Sequence, residues 1–220
     1  MITLNNVYKS YGELKVLRGI DLDIHKSEII SLTGPSGAGK STLMHIIGTL
    51  DKPDSGNVKF HNIDVLKLSD KKLSEFRNKN IGFIFQFHHL LQEFTALENI
   101  CIPAYIAGKQ KKETELKALE LLEILSLKDR AEHKPSELSG GEQQRVAVAR
   151  SLINNPEIIL ADEPSGNLDS ENAFELHKLF FELRKSLGIT CVIVTHNDEF
   201  AKMADRQLKM IDGCFVEVNN

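Results

Sequence analysis

Apolar and polar positions alternate through most of the first third of the chain. Period-two spacing, interrupted by Gly, Asn and Asp, occurs at 2–7, 16–24 and 56–65, and it is typical of strands with one buried face. Residues 28–34, EIISLTG, form instead a short β-branched run that ends in glycine, and helical spacing follows over 40–50. The pattern therefore predicts strands and turns, followed by a strand, a glycine loop and a helix.

The middle of the chain has the spacing of helices. From about 97 to 127 apolar residues recur at helical intervals, and ETELKALELLEILSL places Leu116, Leu119, Leu122 and Ile124 on one face. Such a stripe normally faces a core, so we expect it to pack within a helical subdomain rather than to bind a cofactor.

Alternation of strands and helices returns after Pro156. The predicted elements are strands at 157–163 and 190–196, helices at 172–187 and 198–203, and a hairpin at 208–218 that turns at Asp212-Gly213. Apolar strands bounded by helices are typical of a parallel sheet that is covered on both faces. The helical segment in the middle is then an insertion into one α/β unit.

Composition restricts the classes of protein to consider. The 220 residues, 41% apolar and 26% charged, suit one large or two small domains with a sizeable core. A net charge of -4 gives no basic excess for nucleic acid or an anionic membrane. No apolar run approaches the roughly 18 to 20 residues that cross a bilayer, and no signal peptide pattern is present. With three widely spaced cysteines and no CxxC pair, we expect a cytoplasmic protein that does not cross a membrane by itself.

A phosphate-binding loop is predicted at 34–41, where GPSGAGKS matches GxxxxGK[ST] between the predicted strand and helix. Glycines let successive N–H groups turn toward phosphate oxygens, and the helix adds its positive end. Lys40 can reach the β- and γ-phosphates, and the Ser41 hydroxyl can ligate Mg²⁺. The predicted ATP-binding residues here are Gly34, Pro35, Ser36, Gly37, Ala38, Gly39, Lys40, Ser41 and Thr42.

Two adjacent carboxylates, Asp162 and Glu163, end the predicted strand IILADE. Strand side chains alternate in direction, so we expect different roles: Asp162 holds Mg²⁺, directly or through water, and Glu163 polarises the attacking water. Two solvated acids at a strand end are the alternative, which the phosphate loop upstream disfavours because open α/β sheets bind ligands at this edge.

Two further polar residues follow predicted strands. His196 ends CVIVT and can hydrogen-bond a γ-phosphate, although a single histidine at a strand end is more often structural. Gln86 follows IGFIF and offers an amide oxygen to Mg²⁺ or water. Neither residue by itself identifies a site.

Residues 138–145, LSGGEQQR, resemble the LSGGQ-type signature of ATP-binding cassette (ABC) proteins, with Glu142 in the fifth place. The phosphate loop, Gln86, the signature, Asp162 and His196 also follow one another as in that family, and the resemblance extends from about residue 2 to 218. It implies an α/β fold with a P-loop NTPase (RecA-like) core, an N-terminal antiparallel β subdomain and an inserted α-helical subdomain. The single domain 1–220 would then comprise a core at about 1–86 and 156–220 and a helical, signature-bearing part at about 87–155.

The resemblance also implies roles for single residues. Gln86 would be the Q-loop glutamine and a Mg²⁺ ligand beside Ser41 and Asp162. Asp169 would be the D-loop aspartate, and His196 the switch histidine that joins Glu163 in catalysis. Tyr11 matches the aromatic residue that stacks on adenine, with Tyr8 as a less favoured substitute.

The start of the helix after the signature can form a second anion site, because the N–H groups of Ser139, Gly140 and Gly141 and the helix dipole point the same way. In the ABC family two subunits meet head to tail, and the signature of one contacts ATP held by the other. The resemblance therefore implies an ATP-dependent homodimer in which Ser139, Gly140, Gly141 and Glu142 act in trans.

The stretch FQFHHLLQEFTALEN at 85–99 is similar to the ATPases of bacterial lipoprotein-releasing systems, and macrolide-export and cell-division ATPases share several of these motifs. Ser165 and Ala38 depart from the usual Thr and Ser. The apolar residues of this stretch either pack inside the helical subdomain or form a groove for a short helix of a membrane subunit. These residues are Phe87, Leu90, Leu91 and Phe94.

The resemblance thus implies an ATPase that works with Mg²⁺ and with two transmembrane permease subunits at the cytoplasmic face of the inner membrane. The permeases, not this chain, would contact the lipoprotein cargo, and no nucleic acid partner is expected. A soluble ABC ATPase acting on ribosomes or DNA is disfavoured because the chain has neither a second cassette nor a coiled-coil insertion. A cassette without turnover is disfavoured by Glu163 and His196.

Overall fold

The computed structural model describes residues 1–216, which form two β-sheets and seven α-helices. The strands are β1 (Ile2–Tyr11), β2 (Leu14–Ile24), β3 (Ile29–Thr33), β4 (Ser55–Phe60), β5 (Ile63–Asp64), β6 (Ile81–Phe85), β7 (Ile158–Asp162), β8 (Thr190–Val194), β9 (Arg206–Ile211) and β10 (Cys214–Val216). The helices are α1 (Lys40–Ile47), α2 (Asp70–Asn80), α3 (Ala96–Ile106), α4 (Lys111–Ile124), α5 (Gly140–Leu152), α6 (Ser170–Leu187) and α7 (Asp198–Met203).

The smaller sheet is antiparallel and has the strand order β2-β1-β4-β5. The larger sheet has the order β10-β9-β3-β8-β7-β6, and only β10 runs against its neighbour. Because five of its strands are parallel, the segments that follow β3, β6, β7 and β8 all leave from one edge of the sheet. That edge is where open α/β sheets bind ligands.

Side chains of the larger sheet alternate between two hydrophobic clusters, one on each face. Ile159 and Cys191 pack with the helices α3 to α6 on one side. Leu160 and Val192 pack with α1 and the smaller sheet on the other. A parallel sheet covered on both faces is the arrangement that the apolar strands predict. No helix within residues 1–216 has the length and hydropathy needed to cross a membrane.

The hairpin turn at Asp212-Gly213 is confirmed. Both residues have positive φ, 48° and 79°, as a tight turn between antiparallel strands requires. The last residues of the predicted hairpin, 217–218, lie outside the described residues.

Two expectations about elements were wrong, and one helix was not predicted. The single strand predicted at 56–65 is two strands, β4 and β5, which a turn at His61-Asn62 separates. Helix α2 was not predicted, because its sequence DKKLSEFRNKN buries only Leu73 and so has no apolar period. In α4, Leu116 and Ile124 are exposed, and the buried residues are Thr114, Ala118, Leu121 and Leu122.

Candidate nucleotide site

Residues 34–39 join the end of β3 to α1 and curl at the ligand-binding edge of the large sheet. Gly34 has φ 141°, and a Cβ atom there would lie 2.1 Å from the carbonyl oxygen of Met210, so only glycine fits. The turn of the β9–β10 hairpin supports the loop from outside, since Gly213 N–H donates to the Ala38 carbonyl at 3.1 Å. The tip of the loop at 35–37 is exposed.

Lys40 begins α1 and is only 6% exposed. Its Nζ donates to the carbonyl oxygens of Gly34 and Pro35 at 2.8 and 2.9 Å, so the ammonium group lies inside the curl of the loop. None of the ion pairs within residues 1–216 includes it. The charge is therefore balanced by no carboxylate in the described part of the chain. Ser41, next along the helix, is exposed, and Thr42 is half-buried.

Tyr11 lies beside the start of α1, with half of its surface exposed. Its Oη donates to Asp51 Oδ2 at 2.6 Å, and Lys9 Nζ lies 5.1 Å from the ring centroid. The bond to Asp51, with burial, raises the pKa of Tyr11, and the hydroxyl of Thr42 opposes this. The structure thus brings Tyr11 next to α1, with an exposed ring.

Glu163 and His196 meet at the same edge of the sheet. His196 Nε2 lies 2.8 Å from Glu163 Oε1. Glu163 has φ 48°, the left-handed region, and its N–H donates to Val194 O at 3.0 Å. We expected strand alternation to set the direction of the Glu163 side chain. Strand β7 ends at Asp162, however, so the turn that follows the strand sets that direction instead.

Gln86 follows β6, whose last residue Phe85 pairs with Asp162 on β7. Its Nε2 donates to Asn167 Oδ1 at 3.2 Å, and Asn167 Nδ2 donates to the Gln86 carbonyl at 3.1 Å. Asn167 was missed by sequence reasoning, although an amide within GNLD was a signal that could have found it. These contacts place Gln86 against the loop that follows Glu163.

The apolar stretch after Gln86 is mostly exposed. Phe87, Leu91 and Phe94 are 65%, 45% and 41% exposed, whereas Leu90 is buried. Packing inside the helical part is thus correct for Leu90 alone. The backbone of this stretch is held by Asn99, which bonds to both backbone groups of Leu91.

Arg150 of α5 holds the same stretch from the other side. Its guanidinium donates to the carbonyls of His88 and His89, both at 2.7 Å. Gln144, also on α5, contacts the His88 ring. The segment that carries Gln86 is therefore tied directly to the helix that begins with the signature.

The signature residues form the N-terminus of α5, and they are tightly capped. Ser139 Oγ accepts from Glu142 N–H at 3.2 Å, and Glu142 Oε2 accepts from Ser139 N–H at 2.8 Å, which is a capping box. Arg130 Nε donates to the other oxygen of Glu142 at 2.9 Å. The bond from the Ser139 backbone, with Arg130, lowers the pKa of Glu142. The fifth residue of the signature therefore stabilises the start of the helix.

Gly141 lies where α5 meets the start of α6. A Cβ atom there would lie 2.4 Å from Asn172 Oδ1. Asn172 in turn donates from its backbone and side chain to Asp169, at 2.9 and 2.7 Å, so that Asp169 caps α6. The signature and the D-loop aspartate are thus in contact through one asparagine.

A separate groove of about 930 Å³ lies between α2, β6, α3 and α5. Its apolar lining includes Phe83, Phe85, Pro103 and Ile106, and its one acidic residue is Glu75. The basic residues that line it are Lys71, Arg77, Lys79, Lys109 and Arg150. Within residues 1–216 none of these five forms an ion pair. The groove is therefore apolar, with an unbalanced positive charge.

Comparison with known proteins agrees with this arrangement. The ABC transporter family model matches residues 17–166. The chain is 61% identical to the lipoprotein-releasing system ATP-binding protein LolD of Bacteroides thetaiotaomicron, over 97% of this chain and 98% of that protein. It is 55% identical to the LolD protein of Cytophaga hutchinsonii, over 98% and 99% of the two chains.

A solved structure has the same fold. The dimeric post-hydrolysis state of the ATP-binding cassette MJ0796, bound to ADP and phosphate, superimposes with a TM-score of 0.90 at 42% identity. The match covers 99% of this chain and 97% of that one. The expected P-loop NTPase fold of an ABC cassette is confirmed. The chain belongs to the ABC transporter family, in the group of LolD ATP-binding proteins.

Proposed function

We propose that this chain is the ATP-hydrolysing subunit of an ABC transporter that releases lipoproteins from the bacterial inner membrane. The observation that carries the catalytic part is the pair of Glu163 and His196, 2.8 Å apart at the strand edge that also bears the phosphate loop. The LolD relatives support the lipoprotein part. Related ABC systems for macrolide export or cell division are the alternative.

In this proposal the phosphate loop binds ATP through its backbone N–H groups, and Lys40 binds the β- and γ-phosphates. Tyr11 stacks on the adenine ring. Glu163 accepts the proton of a water that attacks the γ-phosphorus, and the bond from that phosphorus to the bridging oxygen breaks as ADP leaves. His196 hydrogen-bonds the γ-phosphate and orients the Glu163 carboxylate.

Ser41, Gln86 and Asp162 suit a magnesium ion that accompanies ATP. All three side chains offer oxygen donors, which magnesium takes together with water and substrate phosphates, and Gln86 and Asp162 follow or end paired strands. When bound, the ion would neutralise charge that develops on the phosphates.

Dimerisation would complete the site. Gly140 and Gly141 begin a 13-residue helix, whose N-terminus favours an anion. The N–H of the capping residue Ser139, which we also expected to face the anion, instead donates to Glu142. In the dimer this terminus closes on the γ-phosphate of the other copy, Glu142 shapes it and Asp169 lies beside it. The dimeric solved cassette supports this geometry.

The groove between α2 and α3 is where we place the membrane subunits, and its lining includes none of the four residues expected from the sequence, Phe87, Leu90, Leu91 and Phe94. Its apolar and basic lining suits a short amphipathic segment with acidic residues. Two permeases would hold the dimer at the cytoplasmic face of the inner membrane and contact the lipoprotein cargo themselves. In this arrangement residues about 1–86 and 156–220 bind nucleotide, and the helical part at about 87–155 bears the signature.

Glu163→Gln tests the catalytic proposal. The amide cannot accept the proton, so we expect ATP to bind, turnover to fall at least about 100-fold and an ATP-dependent dimer to accumulate in sizing chromatography. Glu157→Gln, an exposed acid just before the same strand, is the control. Wild-type hydrolysis by Glu163→Gln would refute the role of Glu163.

The transport part needs a separate measurement. Tagged full-length chain, purified from membranes of its own bacterium, should bring multi-span permeases with it, and depletion should leave lipoproteins in the inner membrane. Normal lipoprotein sorting would favour the alternative systems instead: accumulation of a macrolide in the depleted cells would indicate drug export, and a division defect would indicate a cell-division system.

A further inference from the structure

His177 lies in α6, outside every motif of the nucleotide site, and is only 6% exposed. Its Nε2 lies 3.1 Å from Ser165 Oγ. Burial lowers the pKa of His177, which favours the neutral ring, and a neutral ring can donate to a hydroxyl or accept from it. The ring therefore joins α6 to the loop that follows β7.

That loop begins at Glu163. Gly166 N–H donates to the Glu163 carbonyl at 3.0 Å, and Leu168 N–H donates to the Ser165 carbonyl at 3.1 Å. The positive φ of Glu163, 48°, is strained for a residue with a side chain and persists only where surrounding contacts enforce it. Ser165 lies two residues away, so its bond to His177 is one of those contacts.

A face of the same ring packs against the segment that carries His196. His177 stacks on Phe200 of α7, with ring centroids 4.3 Å apart. Phe200 N–H donates to Asn197 Oδ1 at 2.8 Å, and Asn197 N–H donates to Thr195 Oγ1 at 3.0 Å. His196 therefore lies between two residues that bond to each other, at the start of a helix that packs on His177.

We propose that His177 is a positioning residue for ATP hydrolysis, which holds the Glu163 loop and the His196 segment in the relative position that keeps their side chains in contact. The inference rests on the proposed roles of Glu163 and His196. His177 touches neither nucleotide nor water in this scheme. It acts through Ser165 on one side and Phe200 on the other.

The alternative is that His177 only fills space, in which case phenylalanine would serve as well. His177→Phe keeps an aromatic ring against Phe200 and removes Nε2, and Ser165→Ala removes the same bond from the partly exposed loop. A displaced general base slows chemistry, so we expect each variant to lower kcat about tenfold. KM for ATP should stay within about twofold, because the phosphate loop and Tyr11 are untouched.

Two comparisons separate positioning from packing. The double variant should lose no more kcat than the worse single variant, because both remove one bond, and Ser165→Thr, which keeps the hydroxyl, should retain wild-type kcat. Wild-type kcat in His177→Phe, or losses that multiply in the double variant, would overturn the inference. If His177→Phe does not fold, Ser165→Ala against Ser165→Thr decides alone, and equal kcat in the two refutes it.

The activity of Glu163→Gln distinguishes a failure of the positioning role of His177 from a failure of the proposed function. An inactive Glu163→Gln with a fully active His177→Phe leaves catalysis by Glu163 standing and removes only the positioning role. A fully active Glu163→Gln removes the proposed function itself.

Discussion

Lys40 and Glu163 approach the same phosphate, in the proposed mechanism, from the ends of two different strands of one sheet. Lys40 follows β3, and Glu163 follows β7. The strand between them, β8, leads to His196. Lys40 is more than a hundred positions before Glu163 and His196 in the sequence. All three lie at the same edge of the sheet because parallel strands end there together.

Lys40→Ala should weaken ATP binding at least about tenfold, because a buried ammonium that can contact two phosphates is lost. Isothermal titration calorimetry measures the affinity for ATP. The control is Lys59→Ala, which changes an exposed lysine of β4. Unchanged ATP affinity in Lys40→Ala would contradict the assignment of the loop.

The places of motif residues such as Lys40, at the start of α1, and Asp162, at the end of β7, could be predicted from residue type and spacing. The contact between Glu163 and His196 could not be predicted, and neither could the hydrogen bonds between Asn167 and Gln86. Both arise from turns after strands, where the backbone leaves the period-two pattern that makes side-chain directions predictable. The left-handed φ of Glu163 is the clearest case.

Among the elements, α5 has two ends with separate tasks. Its N-terminus is the capped signature, and Arg150 near its C-terminus holds the carbonyls of His88 and His89.

The strands and most helices were predictable from apolar spacing, but α2 and the buried face of α4 were not. In α4 the small residue Ala118 allows close packing, so leucine positions such as Leu116 do not reveal which face is buried.

Ser139→Arg should separate nucleotide binding from dimerisation. The change removes the N-cap of α5, which costs about 1 kcal/mol, and places a long cation where the second subunit would approach. We expect monomers with near wild-type ATP affinity. Sizing chromatography in a Glu163→Gln background measures the dimer, and Ser69→Arg, at the exposed N-cap of α2, is the control. An ATP-dependent dimer of Ser139→Arg would exclude a site in trans.

At the scale of the whole molecule, a mildly acidic chain carries an unbalanced basic groove. The net charge is -4, yet five bases and a single acid line the groove. Composition could not predict this, because net charge gives no information about where on the surface charges of either sign gather. The local charge follows from α2 and α3 converging on β6.

Changing Lys71, Lys79 and Lys109 together to Glu should release membrane subunits that co-purify with the wild-type chain, because the groove would repel acidic partners. Retention on the tagged chain at low salt measures this. The matched control changes three exposed lysines outside the groove, Lys26, Lys185 and Lys202, by the same charge. Equal retention of permeases by both triple variants would show that the groove does not select acidic partners.

The contact between Gly141 and Asn172 restricts how the two motifs can change over evolutionary time. An alanine at 141 would place its Cβ 2.4 Å from the amide oxygen of Asn172, so the Asn172 side chain must either move or be replaced by a shorter one. Shortening Asn172 first removes one of the bonds that hold Asp169. We therefore expect positions 141 and 172 to change together, which a comparison of related sequences would measure.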